Sequence, residues 1–223
     1  MNRGKNVAIV TYNGTDGACA AAVALHRFSG ARVVATSAKR IAGTLAELGK
    51  SDCREVHVCG VGVYCDWEDI VASGAALQAR GARLVWHCGR GYLDRDGAAF
   101  AEFAETDFRD AGTNTAALAA SLDLGDQLEV QTLCDLAWYD HNNPACLPPE
   151  ERSEQQTFLV DLIHASMGHY FKYQDAEPYI ETIRRLAALE WGRRERPLVE
   201  TYRRNGYKYL LHGRTPAVLR LTE

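Results

Sequence analysis

Short apolar strands alternate with helical segments over residues 6–88, and this alternation constrains the fold more than any other feature of the chain. The predicted strands are Asn6–Tyr12, Arg32–Thr36, Glu55–Gly60 and Ala82–Cys88. Apolar residues at helical spacing occupy the intervals, at Ala18–Phe28, Arg40–Leu48 and Trp67–Ala79. This βαβ order indicates an α/β fold, with a mostly parallel sheet and helices on both faces. Ligands of such sheets bind at the carboxyl ends of the strands.

The remainder of the chain, from Ala98 on, predicts mainly helices. These are expected at Thr113–Leu122, Asp126–Tyr139, Glu154–His169 and Pro178–Asn205, the last with break signals at Gly192 and Pro197. Tyr207–Leu211 and Ala217–Leu221 predict a small terminal hairpin. We expect an α/β domain over residues 1–146 and a helical C-terminal extension over residues 147–223 that ends in this hairpin.

Composition excludes several classes of protein. The sequence is 47% hydrophobic and 24% charged, which are ordinary values for a globular protein and exclude wholesale disorder. No apolar run approaches the ~18 residues of a membrane span, and the first residues contain no signal peptide. The seven cysteines include no Cys-x-x-Cys pair, which argues against a disulfide framework or a zinc ribbon. We expect a cytoplasmic protein without a membrane partner.

Charge is unevenly distributed along the chain, whose net charge is −4. Residues 184–223 contain 10 Lys or Arg and 4 Asp or Glu, so this segment is basic although the whole chain is acidic. A basic segment can contact nucleic acid or an acidic partner. It can also be a solvated helix face whose arginines pair with the acidic remainder. The second interpretation is favoured because no RNA-binding motif accompanies the arginines.

Polar and small residues follow the predicted strands, at the places where a ligand would bind. The first strand ends in Tyr12-Asn13-Gly14-Thr15-Asp16-Gly17, and a helix of small residues begins there. This turn either aims Asp16 and backbone N–H groups into the crevice or uses Asp16 as a plain helix cap. The third strand ends near Gly60 and the fourth in His87-Cys88-Gly89-Arg90, where glycines leave room for a ligand.

Two further positions come from the helical part of the chain. Thr113 lies in Gly112-Thr113-Asn114-Thr115, a hydroxyl-rich helix start. Asp135 is an acid within the otherwise apolar stretch Leu133–Trp138. Because a buried acid needs a partner, we expect Asp135 to be buried and paired rather than at the surface.

These positions, in this order, resemble the DHH phosphoesterase superfamily, in particular its oligoribonuclease and cyclic-nucleotide phosphodiesterase-like branch. That family begins with a strand, a His-x-Asp-x-Asp-Gly motif and a small-residue helix, which Tyr12–Gly17 and the following residues resemble. Gly60 stands where the family's second strand motif ends in Asp, and His87-Cys88-Gly89 stands where it has Asp-His-His. Asp135 and Trp138 resemble an Asp and a Trp on a later helix. The resemblance covers residues 5–146.

The departures from the family pattern concern the metal ligands. In the family, these motifs hold two Mn²⁺ ions that activate water and neutralise the phosphodiester. Only Asp16 and Asp135 keep a carboxylate here, and two acids cannot build a two-metal site. The resemblance therefore implies a DHH-like domain without metal ions or another cofactor. The alternative is a rewired enzyme that uses Mn²⁺, or Zn²⁺ on ligands drawn from Cys59, His87, Cys88 and Cys134.

We predict a DHH phosphoesterase-like protein that binds a nucleotide, a short RNA or a partner protein and is not catalytic. The alternative is an active phosphodiesterase or oligoribonuclease with a rewired site. The candidates for any remaining catalysis are Asp16, His87 and Asp135. The candidates for ligand binding are Tyr12, Asn13, Gly60, Cys88, Gly89, Arg90 and Thr113. In place of metal ions, we expect Arg90 to lie between Asp16 and Asp135 and to neutralise both, unless it points to solvent from its loop.

Overall fold

A five-stranded parallel sheet lies at the centre of the molecule. The computed structural model describes residues 6–63, 67–89, 97–143, 146–191 and 195–205. The strands are β1 (Val7–Tyr12), β2 (Arg32–Thr36), β3 (Glu55–Cys59), β4 (Arg83–Gly89) and β5 (Glu105–Arg109). All neighbouring strands are parallel, in the order β2-β1-β3-β4-β5. The predicted α/β fold is confirmed, and β1 to β4 lie within one residue of their expected bounds.

The sequence pattern does not predict β5, which lies at one edge of the sheet. Its residues, Glu-Thr-Asp-Phe-Arg, form no apolar run, and none of them is fully buried. Pairing with β4, rather than local propensity, makes this segment a strand. The expectation of helical structure from Ala98 on is therefore wrong at Glu105–Arg109. Charged side chains on such an edge oppose pairing with another chain.

Helices surround the sheet, with bounds close to those expected. They are α1 (Thr15–Arg27), α2 (Ile41–Leu48), α3 (Trp67–Ala79), α4 (Gly97–Phe100), α5 (Asn114–Ser121), α6 (Leu128–His141), α7 (Glu154–Tyr173), α8 (Glu177–Ala187) and α9 (Arg196–Asn205). The expected helix over Pro178–Asn205 is interrupted, and α9 begins just before Pro197. Within the described ranges, no helix has both the length and the apolar character that a membrane crossing requires.

The helices cover both faces of the sheet because the strand order reverses after β2. The β1–α1–β2 unit runs towards one edge, whereas β3, β4 and β5 are added on the other side of β1. Right-handed crossovers then place α1 on one face and α2 and α3 on the other. The buried residues accordingly form two clusters, one beneath α1, α5 and α6 and one beneath α2 and α3.

The C-terminal helices extend the cluster on the α1 face. Ile163 of α7 and Ile183 of α8 are fully buried in it, and α8 packs against α1 and β2. The two parts of the chain, residues 1–146 and 147–223, thus share one buried cluster, and their division into domains stays a prediction. The predicted hairpin over Tyr207–Leu221 lies outside the described residues.

Arginines of the basic segment pair with carboxylates on the helices around them. The pairs with the clearest geometry are Arg184–Glu177 at 2.8 Å, Arg185–Glu181 at 3.1 Å and Arg203–Asp161 at 2.6 Å between nitrogen and oxygen. For the described part of this segment, the pairs support the interpretation of a solvated helix surface bound to the acidic remainder.

Candidate functional site

The reversal of strand order between β1 and β3 creates a crevice at the carboxyl edge of the sheet, which is where such sheets bind ligands. The segment after β1 begins at Asn13, and the segment after β3 begins at Gly60. The start of α5 lies over the same edge, because Asn114 contacts both Asp16 and Gly60. These three segments form the candidate site.

The turn between β1 and α1 is as tight as its small residues predict. Gly17 has no room for a side chain, because a Cβ atom there would lie 2.0 Å from the Tyr12 carbonyl oxygen. The Thr11 hydroxyl donates to the Gly17 carbonyl at 2.6 Å and fixes the helix against the strand. Residues 17–24 of α1 are all buried. The expected close approach of this helix to the sheet is confirmed.

The Asp16 carboxylate is held by the start of α5, 98 residues further along the chain. It accepts hydrogen bonds from the backbone N–H groups of Asn114 and Thr115, both at 2.9 Å, from the Asn114 amide at 2.8 Å and from the Thr115 hydroxyl at 2.7 Å. The first N–H groups of a helix have no partner within the helix and attract a carboxylate. Asp16 is therefore a helix cap, but of α5 and not of α1, whose N-cap is Gly14.

Asn114, which the sequence analysis does not single out, occupies the crevice between Asp16 and Gly60. The residue is 6% exposed, and its amide oxygen accepts a hydrogen bond from the Cys88 thiol at 3.4 Å. Gly60 has a φ of +67°, and a Cβ atom there would lie 2.9 Å from Cβ of Asn114. The room expected beside Gly60 is therefore taken by Asn114. An amide residue is common at the first position of a helix, so the sequence around Asn114 does not predict this contact.

Tyr179 of α8 fixes the backbone of the first loop. Its hydroxyl accepts from the Gly14 N–H at 3.0 Å and lies 2.8 and 3.0 Å from the carbonyl oxygens of Gly14 and Tyr12. Burial raises the pKa of Tyr179 well above its usual value, so the hydroxyl stays protonated and donates to these carbonyls. No local pattern around Tyr179 connects it with a loop so distant in sequence.

Three of the predicted ligand-binding residues, Tyr12, Asn13 and Thr113, lie in or next to the segments that form the candidate site. The Tyr12 residue is 43% exposed, while Asn13 is only 5% exposed. Within the described part of the chain, the Asn13 side chain makes no hydrogen bond. Thr113 is the N-cap of α5, and its hydroxyl accepts from the Ala116 N–H at 3.1 Å. Tyr12 and Asn13 therefore keep side-chain groups that a ligand can use, whereas the Thr113 hydroxyl is engaged by its own helix.

His87 does not reach the crevice. Its side chain lies on the opposite face of β4 from Cys88 and contacts the ring of His57 at 2.9 Å and the Ser121 hydroxyl at 3.0 Å. Burial lowers the pKa of His87 to about 4, so the ring is neutral at neutral pH. The structure therefore does not bring His87 and Asp16 together, because alternate residues of a strand point to opposite faces. A catalytic role of His87 stays a prediction.

Asp135 is exposed on α6, contrary to the expectation that it is buried. Among the described residues, it takes part in no hydrogen bond or ion pair. The apolar stretch around it belongs to one helix face, and Asp135 falls on the other face of the helix. Gly89 ends β4 and pairs with Arg109. Arg90 lies outside the described residues, so the proposed bridge between the two acids stays a prediction.

The described residues contain no group of three or more His, Cys, Asp or Glu placed to hold a metal ion. The thiols near the crevice are buried or partly buried. Burial raises the pKa of Cys59 and of Cys88 to about 12 and that of Cys134 to about 11. Among the described residues, these thiols form no such metal-holding group with His87, the fourth ligand named for the rewired alternative.

Comparisons with known proteins give similarities at the level of structure only. No family model and no curated protein matches the sequence. A crystal structure of RecJ from Thermus thermophilus in complex with Mn²⁺ is similar with 12% identity and a TM-score of 0.47, over 89% of this chain and 35% of that one. A crystal structure of the exonuclease RecJ bound to manganese is similar with 13% identity and a TM-score of 0.36, over 83% of this chain and 62% of that one. The chain thus spans less than two thirds of either protein, and these similarities assign it to no family.

Proposed function

We propose that this protein is a DHH phosphoesterase-like scaffold that binds a nucleotide or a short RNA at the carboxyl edge of its sheet without hydrolysing it. One observation carries the proposal: both oxygens of the Asp16 carboxylate already accept hydrogen bonds from the start of α5. A carboxylate that coordinates a hard cation must turn an oxygen towards the ion. For Asp16 this would leave helix donors without a partner.

A nucleotide is the ligand class that suits the groups left at the crevice. The partly exposed ring of Tyr12 offers a surface on which a base can stack. The adjacent Asn13 amide offers donors and an acceptor that can bind a base edge or a phosphate. Both residues follow β1 at the reversal of strand order. A partner protein would need a larger exposed surface than these two side chains provide.

The ligand is tested by titrating the protein with a short oligoadenylate and with a cyclic dinucleotide in a calorimeter. Tyr12→Ala is expected to weaken binding about tenfold, because one stacked base contributes about 1 to 3 kcal/mol. Tyr173→Ala removes another exposed tyrosine, carried by α7, and is expected to leave the affinity unchanged. Equal affinities of the wild type and Tyr12→Ala would contradict the proposed site.

The absence of hydrolysis is tested on the same preparation. We expect no stoichiometric Mn²⁺ in the purified protein and no Mn²⁺-dependent cleavage of the oligoadenylate. Two bound Mn²⁺ per chain together with turnover would overturn the proposal and favour the alternative, an active phosphodiesterase or oligoribonuclease.

A further inference from the structure

A row of hydrogen-bonding side chains crosses β3, β4 and β5 on the face that α1 and α5 cover. Glu55 Oε1 lies 3.1 Å from His57 Nε2, and His57 Nδ1 lies 2.9 Å from His87 Nε2. His87 Nδ1 lies 3.0 Å from the Ser121 hydroxyl at the end of α5. That hydroxyl also makes a short contact with the Asp107 carboxylate of β5. Four contacts therefore link five side chains between two terminal carboxylates.

The two histidines in the middle of this row are buried. His57 is 2% exposed and His87 is 4% exposed, and their rings stack at an angle of 13°. The ring of Phe28, just after α1, covers His57 at 4.3 Å between centroids. The charged groups that face the pair are Glu55 of β3, Arg83 of β4, and Glu105, Asp107 and Arg109 of β5. The pair is thus shielded from water and surrounded by a defined set of charges.

Counting protons shows that the row is one short. An ionised carboxylate only accepts, so Glu55 and Asp107 supply none. Each neutral imidazole supplies one N–H and Ser121 supplies one O–H. Three protons cannot fill four hydrogen bonds, so with both rings neutral one contact joins two lone pairs. One additional proton completes every contact.

We propose that His57 and His87 form a single-proton switch, in which the pair takes up one proton as a unit and thereby fastens the end of α5 to the sheet. The incoming proton binds His87 Nδ1, which then donates to the Ser121 oxygen. The Ser121 hydroxyl in turn donates to Asp107. While the His87 ring is neutral and its Nδ1 carries no proton, Nδ1 and Asp107 compete for the single Ser121 proton. The proton between His57 Nδ1 and His87 Nε2 belongs to both rings, so the positive charge is shared.

The surrounding charges favour one proton and exclude two. Arg83 contacts Glu55 at 2.7 Å and Glu105 at 2.6 Å, and Arg109 contacts Asp107 at 2.7 Å. Three carboxylates against two guanidinium groups leave one negative charge, which a single imidazolium balances. A second proton would place two N–H groups face to face across the contact between the rings. Burial opposes the first proton too and lowers the pKa of both histidines, so uptake occurs on the acidic side of their usual range.

The switch is tested by following the ring nitrogens of all histidines in the wild-type protein by ¹⁵N NMR as the pH is lowered. We expect His57 and His87 to titrate together, with one midpoint and one proton in total, below the pKa of ~6.5 of an ordinary histidine. Two midpoints far apart, the uptake of two protons, or no uptake before unfolding would each overturn the proposal.

A variant at the end of the row supplies an independent measurement. Ser121→Ala removes the acceptor that His87 Nδ1–H needs, and we expect the shared midpoint to fall by about one pH unit. Thr132→Ala is the matched control, since its hydroxyl donates to the Leu128 carbonyl within α6, away from the pair. An unchanged midpoint in Ser121→Ala would refute the link between the histidines and α5.

Discussion

Asp16 and Asp135 are both carboxylates, yet their surroundings give them opposite roles. Asp16 accepts four hydrogen bonds at the start of α5, two of them from backbone N–H groups of the helix. Asp135 is exposed, and within the described residues it bonds to nothing. The stability of the fold should therefore depend on the first carboxylate and hardly on the second.

Replacing each acid by its amide tests this contrast. Asp16→Asn keeps the size of the side chain but turns an NH₂ group towards N–H and O–H donors, so we expect a loss of about 2 to 3 kcal/mol in the free energy of unfolding. Asp135→Asn is the matched control, and its expected change is within about 0.5 kcal/mol. Urea denaturation measures both values. Similar losses in the two variants would show that Asp16 does not hold α5.

The sequence reveals that Asp16 is special but not what it binds. Its place after the first strand predicts either a side chain aimed at the crevice or a plain helix cap, and the structure shows its carboxylate bonded to the start of α5. Its partners, Asn114 and Thr115, come from a helix far along the chain. Local patterns carry no information on which helix meets the crevice, and so the expected pairing with Asp135 and Arg90 followed the family resemblance instead.

Helix α5 joins three parts of the fold although it has only 8 residues. Its first residues hold Asp16, its Asn114 side chain lies against Gly60, and its last residue, Ser121, contacts β4 and β5. The distance between the end of β3 and the start of α5 is therefore set by a glycine. Any side chain at position 60 must push the two elements apart.

Two glycines with similar backbone conformation separate this packing effect from backbone strain. Gly60 and Gly81 both have positive φ, +67° and +78°, but a Cβ atom on Gly81 meets no atom within 4 Å. Gly81→Ala is therefore expected to cost about 1 to 2 kcal/mol from strain alone. Gly60→Ala is expected to cost about 1 to 3 kcal/mol more, because it also meets Asn114. Thermal unfolding of both variants measures the two losses of stability. Equal losses in Gly60→Ala and Gly81→Ala would argue against close packing at Gly60.

The elements themselves were largely predictable, and the exception has a physical reason. β1 to β4 and their helices are visible in the sequence because each buries apolar residues at a regular spacing. β5 has no such pattern, since it lies at an exposed edge and forms only through its neighbour. Contacts that join distant elements, such as that of Tyr179 with Gly14, have no local signature at all.

At the scale of the whole molecule, folding suppresses the charge of the buried histidines His57 and His87. Burial lowers the pKa of His87 to about 4, whereas an unfolded chain binds this proton near pH ~6.5. Between these values the unfolded state holds more protons than the folded state. Acid therefore favours unfolding, and stability must fall as the pH drops through this window. The ion pair with Arg83 lowers the pKa of Glu105 and acts in the same direction at still lower pH.

The lowered pKa of His87 alone is expected to reduce the free energy of unfolding by about 2 kcal/mol between about pH 7 and about pH 5. The lowered pKa of His57 adds to this reduction. Urea denaturation at the two pH values measures this change in the free energy of unfolding. In His87→Gln the drop should become smaller by about 2 kcal/mol, because one of the two buried groups that take up a proton on unfolding is gone. His141→Gln, at an exposed position, should keep the full drop. The same drop in all three proteins would mean that His87 is not the group responsible.

The hydrogen bonds of Tyr179 also bear on how the protein is made. The ribosome adds Tyr179 165 residues after Gly14. Until α8 emerges, the Gly14 N–H must bond to water or to other parts of the nascent chain. The loop after β1 is thus synthesised long before the side chain that fixes it, and it reaches its final structure only once α8 is in place. A chain stalled before α8 leaves the crevice unfinished and open to chaperones.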